Sequence, residues 1–496
     1  MTTTLALQRG IRFRDLVLFY VVVSLAIRWT AFAASAGPSI LIVWIAALIG
    51  FFLPLAACVM ELSSRHPDEG GLYVWVSEAF GDFPGFIAAW TYWMSNLPLF
   101  PSLLYFSAAS ALLAFGSRAQ LLAASPSYFI AVSTLCLALI TLLNIRGVNI
   151  GKWLNNIGAF GSLLALTVLM LLAFASWWRF GPATHFTTAG LVPHWSAGNA
   201  VFWSTVFLAF VGVEAGSAMG GEIQNPRRNI PWAILLGGGL IAFGYIGGTL
   251  ALLVALPSQA TSGPDGFVNG IHALTAHLGL GWLLAPMVLL VAFSAFGGAA
   301  ANLSSTARLP FVVGIHHYLP DAFGWTHPRY RTPWVAIAVY GAAGMVMALV
   351  GQAGTSVRGA YEVLVSMTIL PTFVPFLFVF AAMIRLQSRP VGPQVRRVPG
   401  GKPVAIALGC LGLASTVLTL VMSVVPANDE PNKPLAIAKV VGGTLVLIGA
   451  GVAVFVGARL KARNGAALSI KTCPPSPRRG NSSNGPGRDK NRILGH

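Results

Sequence analysis

Apolar residues run along this chain in stretches of about twenty, separated by short polar gaps. A helix needs about 20 mostly apolar residues to cross the hydrocarbon core of a bilayer. Twelve stretches meet that length: residues 16–36, 38–60, 84–114, 127–145, 155–177, 200–220, 232–255, 283–306, 334–352, 361–384, 403–425 and 436–458. The first is too long for a secretory signal, and a second span follows almost at once. The pattern predicts an all-α integral membrane protein with twelve transmembrane helices. The transmembrane unit covers 16–458, after a short N-terminal segment 1–15. The longest polar stretches lie near 257–281 and 308–333 and in the tail 459–496. That tail is rich in Pro, Ser, Gly, Asn and Arg, a composition that predicts disorder.

Composition agrees with this reading. Hydrophobic residues make up 56% of the 496 and charged residues only 9%, against about 25% charged in soluble domains. Mean hydropathy is +0.74. A soluble enzyme, a disordered chain and a fibrous repeat are excluded. The net charge of +17 invites a nucleic-acid partner, but the cations sit in gaps between spans and in the tail, not on one folded face. No nucleic acid is therefore expected. If the N-terminus is cytoplasmic, 25 Lys and Arg fall on that side and four (Arg118, Arg179, Arg358, Lys433) on the other. The bias predicts both termini in the cytoplasm, an inner or plasma membrane location and contact with lipid.

Catalytic chemistry is absent from the pattern. There is no paired-carboxylate cluster within the membrane, no zinc spacing and no phosphate loop. His316 and His317 are adjacent, and neighbours on a helix point apart, so no shared metal is expected. Cys58, Cys136 and Cys410 lie in apolar runs and Cys473 in the tail, which suits neither a disulfide framework nor a metal site. No cofactor is implied. The many span glycines, such as Gly237, Gly238, Gly239, Gly244, Gly247 and Gly248, suggest close helix packing.

Ionisable residues inside spans are functional suspects. Arg28 lies past the middle of the first span, Glu214 in the second half of the sixth, and Glu362 at the start of the tenth. Glu61, at the end of the second, suits a solvated or capping role. Arg28 and Glu214 are five spans apart, as expected of inverted repeats whose first helices break at the midplane. Gly212 suits a break in span six. Span one reads Ala26-Ile27-Arg28-Trp29-Thr30, with no glycine.

Three stretches carry a family resemblance. The first runs from Glu61-Leu62-Ser63-Ser64-Arg65-His66-Pro67 through Asp68-Glu69-Gly70-Gly71-Leu72-Tyr73-Val74-Trp75. The second is Phe210-Val211-Gly212-Val213-Glu214 with Glu222-Ile223-Gln224-Asn225-Pro226-Arg227-Arg228. The third is Ala307-Arg308 with His327-Pro328-Arg329-Tyr330-Arg331-Thr332-Pro333. In this order, over about 12–460, they resemble the amino acid–polyamine–organocation (APC) permeases.

The resemblance implies the leucine-transporter fold: a 5+5 inverted repeat (about 16–177 and 200–384) plus helices 11 and 12 (about 403–458). It also implies alternating access, with substrate held between breaks in helices 1 and 6. Substrate-binding candidates are Ala26, Ile27, Arg28, Trp29 and Thr30, with Phe207, Leu208, Ala209, Phe210 and Gly212. Ala26-Ile27-Arg28 stands where the family has a Gly-Ser-Gly type signature, so Arg28 is expected to meet a substrate carboxylate or to pair with Glu214. Leu208 stands where the family tends to place an aromatic gate. Ser162 stands where some proton-coupled members carry lysine, so that switch is expected to be absent. Glu214, Ser162, Asn302 and Ser304 are gating or coupling candidates, and Ser294 and Ser305 offer further oxygens. Tyr92, Trp93 and Phe100 are candidate aromatic lining. The residues from Val268 to Leu280 suit a helical outer lid. The expected function is secondary transport of an amino acid, proton-coupled or exchanging. Polyamine uptake is the alternative, and a non-transporting amine receptor the alternative of another class. Oligomeric state is left open.

Overall fold

The computed structural model describes residues 7–471, apart from 68–69, 116–118, 124, 262–265, 316–317, 353–356, 391, 393 and 426–432. His316, His317 and the tail from 472 lie outside the described residues, as does the side chain of Glu362.

Within them the chain is helical, with no β-strand. Nine helices are long and apolar enough to cross a membrane, and ten if the bent pair Phe13–Ser24 and Arg28–Ala34 counts as one span. The other two apolar stretches are also helical. Trp334–Gln352 is one. The other is Ala197–Ala209, started by the Ser196 hydroxyl, which accepts from the Asn199 amide at 3.1 Å. Helix is what an apolar run must form in lipid, where no water satisfies the backbone.

Several helices outrun their apolar stretches. The fifth spans Val148–Phe180. The last runs from Lys433 to Lys471, past Arg459, where disorder was expected to begin. The third stretch is two pieces, Asp82–Ser95 and Leu99–Leu113, with Pro98 between them.

Glycines set the packing. A Cβ on Gly158 would come within 2.6 Å of the Gly297 Cα, so Val148–Phe180 and Leu284–Thr306 meet backbone to backbone. Along Pro226–Ala255, Gly238 meets Phe52, Gly247 meets Met170 and Gly248 meets Leu166, each closer than 3.0 Å. Gly239 is different: nothing lies within 4 Å of its Cβ position.

One end of the bundle is closed by several ties. Ile11 pairs with Ile223 in an isolated parallel bridge. The Asp15 carboxylate accepts from Asn156 at 3.0 Å and pairs with Lys152 at 3.4 Å. Arg308 pairs with Glu222 at 3.0 Å, and both are buried. The polar stretch near 257–281 does contain a helix, Gly266–His277, with Phe267, Ile271 and Leu274 buried.

Candidate functional site

The site forms where two helices lose their hydrogen-bond ladder side by side. The first helix stops at Ser24, and the chain resumes as helix at Arg28, bent by 42°. No glycine is needed, because Leu25, at φ −80°, ψ 73°, is the centre of an inverse γ-turn, with the Ala26 amide 2.9 Å from the Ser24 carbonyl, a conformation with negative φ that needs no glycine. Tyr245, from Pro226–Ala255, bridges this break. Its hydroxyl accepts from the Ala26 amide at 3.1 Å and donates to the Ser24 carbonyl. Buried backbone groups left by a break need such partners. Sequence reading missed Tyr245, since a tyrosine in an apolar run carries no mark of its partner.

The second break follows Ala209. Gly212 has φ +129°, a conformation only glycine adopts without strain. A Cβ there would lie 2.4 Å from the Ser24 hydroxyl oxygen, so the two breaks touch. Beyond Glu214 the chain continues as a 3₁₀ segment, Ala215–Glu222. The Glu214 carboxylate is buried (1% exposed) and engaged at both oxygens. Tyr92 donates to one at 2.7 Å, and the Gly212 amide to the other at 3.0 Å. The carboxylate thus fixes the break it belongs to and ties it to the Asp82–Ser95 helix.

Between the breaks lies a cavity of about 50 Å³. Of the expected substrate residues, Ala26, Arg28, Trp29, Leu208, Ala209 and Gly212 line it, and so does Asn302. Tyr92, Asn96, Thr368 and Thr372 add polar groups. Arg28 is 4% exposed. Its guanidinium donates to the Ser102 hydroxyl at 3.1 Å and lies 4.6 Å from the Trp29 ring centroid.

Other expectations are corrected. The Arg28–Glu214 pair does not form among the described residues; the Glu214 oxygens go to Tyr92 and Gly212 instead. Ile27 lines an adjoining smaller cavity with Ser294. Thr30 turns back, its hydroxyl on the Ile27 carbonyl at 2.6 Å. Phe210 sits in an aromatic cluster with Trp44 and Tyr245 rather than in the cavity wall. Phe207 packs against Phe51, and Trp93 and Phe100 pack around Tyr340. Ser162 bonds to Ser294. Ser304 belongs to the buried end tie, where Arg308 reaches its carbonyl and hydroxyl. Ser305 bonds to the Ala301 carbonyl. Glu61 is not solvated: it accepts from Arg65, Gln387 and the Val398 amide. Among the described residues, no His, Cys, Asp and Glu cluster suits a metal.

A membrane-spanning bundle with a buried polar cavity between two broken helices is the architecture of a solute transporter. A family model described as amino acid permease matches residues 16–447. The chain therefore belongs to the amino acid permease family of the APC superfamily. It is an integral, multi-pass membrane protein of a family of transporters, not enzymes.

An uncharacterized transporter of Legionella pneumophila is 26% identical over 439 residues, 88% of this chain and 94% of its own length. The serine/threonine exchanger SteT of Bacillus subtilis is 27% identical over 76% of this chain and 83% of its own. The probable agmatine/putrescine antiporter AguD of Lactococcus lactis is 22% identical, with 80% and 84% covered.

Proposed function

We propose that this permease is a secondary transporter that moves an amino acid by alternating access, driven by protons or by exchange. Arg28 carries the reading. A buried guanidinium in the cavity wall is costly in a membrane, about 2.5–3.5 kcal/mol on insertion scales, and a function must justify it. Ser102 and Trp29 hold it in place. A carboxylate is the complementary ligand, because the planar fork takes it in a bidentate way. Ala26, Trp29, Leu208, Ala209 and Gly212 supply the surrounding wall. Ile27 and Thr30 support it from behind, as do Phe207 and Phe210 through the helices they anchor.

Glu214 is the gating or coupling group in this proposal. Protonation would weaken its bonds to Tyr92 and Gly212 together and so loosen the second break. Asn302 faces the same cavity. Ser162 and Ser304 enter only through the packing of their helices.

The two breaks five spans apart support twelve membrane passes arranged as two inverted repeats, 16–177 and 200–384, followed by 403–458. Residues 459–496 form the basic end of the chain. Charge asymmetry supports an inner or plasma membrane with both termini cytoplasmic.

A polyamine is the competing substrate, favoured by relatives named for agmatine, putrescine or polyamines. Thermal shift with amino acids and polyamines separates the two, since a ligand stabilises the fold it binds. Zwitterionic amino acids should raise the melting temperature of the wild type, and Arg28→Ala should stay folded but lose that response. Stabilisation by polyamines alone, unaffected by Arg28→Ala, would overturn the amino acid reading.

A further inference from the structure

An open groove lies apart from the cavity between the two breaks and shares no lining residue with it. It holds about 790 Å³ along the lipid-facing side of Pro226–Ala255, between Arg228 and Leu240. We propose that this groove seats an anionic glycerophospholipid, with its phosphate between Arg228 and Arg396 and an acyl chain against Gly239.

Depth supports a lipid. From Arg228 to Leu240 is twelve residues, or about 18 Å of helix. That matches the roughly 15 Å of one leaflet's hydrocarbon. Below the charged end the walls are apolar: Phe13, Trp232, Leu235, Leu236 and Leu240. Gly239 leaves the floor open, whereas Gly238 and Gly248 on the same helix are filled by neighbouring side chains.

Charge supports an anion. The Arg396 guanidinium carbon lies 5.9 Å from the Trp232 ring centroid, and the Arg396 amide is fixed on the Ser64 hydroxyl at 2.8 Å. Arg228 is one turn before Trp232, so the two cations flank one interfacial tryptophan. Both are exposed, and neither joins an ion pair among the described residues. Exposed Arg14, next to Phe13, adds to the positive rim. The nearby carboxylate of Asp15 is already engaged by Lys152 and Asn156. A zwitterionic headgroup would leave this rim uncompensated, whereas a phosphatidyl anion neutralises it. The first helix begins at Phe13, so a chain in this groove also braces the end of that helix.

Native mass spectrometry on the delipidated full-length protein tests this, with phosphatidylglycerol and phosphatidylcholine added in competition. The wild type should retain one phosphatidylglycerol with at least tenfold preference. Arg228→Ala with Arg396→Ala should lose that preference; if this pair fails to fold, Arg228→Gln carries the same expectation. Gly239→Leu keeps both guanidiniums but fills the floor, and should lose it too. Glycerol 3-phosphate, a headgroup without chains, should not displace the lipid. An unchanged preference in the arginine variants would exclude a headgroup site. Retention by Gly239→Leu would mean that surface charge alone gathers the lipid. Displacement by glycerol 3-phosphate would mean an anion site without a chain groove. Any of these results overturns the proposal.

Discussion

At the scale of single residues, Gly212 shows how little room the site has. Its φ of +129° excludes a side chain on conformational grounds, and the Ser24 hydroxyl oxygen would stand 2.4 Å from any Cβ. Strain of this kind costs about 1–3 kcal/mol, and the clash adds to it. Gly212→Ala should insert into the membrane yet lose substrate binding, because the two breaks can no longer touch. Thermal melting should fall, and transport in reconstituted vesicles should drop by at least tenfold. Gly212 was legible in the sequence, since glycine beside an in-span carboxylate marks a break. Arg28 was legible for a related reason: a cation deep in an apolar run has few bland explanations. The partners of both were not. Ser102, Tyr92 and Tyr245 come from helices distant in sequence, and a hydroxyl in a span looks the same whether it bonds to a neighbour or to its own backbone.

At the scale of elements, the first break is the clearest lesson. Without glycine, the residues alone made a break there hard to read. The structure breaks the helix with ordinary backbone angles at Leu25 and satisfies the freed groups from a neighbouring helix. Apolar pattern locates a span; only packing says whether its ladder is continuous. The same limit applies to the ends. In the sequence Arg308 is only one residue of a polar motif after an apolar stretch, whereas the structure buries it against Glu222. Removing one partner of a buried pair leaves an uncompensated charge and costs about 3–5 kcal/mol. Arg308→Ala should therefore melt several degrees lower than the wild type. Adding Glu222→Gln should recover much of the loss, because no bare carboxylate then remains buried. A double variant no more stable than Arg308→Ala would mean that the side chain acts through packing rather than charge.

At the scale of the whole molecule, the ties at one end bear on how the protein works. Ile11 and Ile223 pair across the start of the first helix and the end of the 3₁₀ segment after Glu214. Ile11 lies two residues before the first broken helix, and Ile223 directly follows the 3₁₀ segment beyond the second break. In an alternating-access cycle the cavity must open toward this end, and these segments must then part. Paired residues of a bridge lie within the roughly 4.4–6.8 Å between Cα atoms that a disulfide accepts. Ile11→Cys with Ile223→Cys, in a background lacking Cys58, Cys136, Cys410 and Cys473, should cross-link on oxidation. Transport should stop when the bond forms and return when it is reduced, while each single variant transports in both conditions. Binding of substrate from the opposite face should survive the cross-link, because the cavity between Arg28 and Gly212 lies beyond the bridge. Full transport by the cross-linked protein would show that the passage does not run past Ile11, and alternating access by separation of these segments would fall.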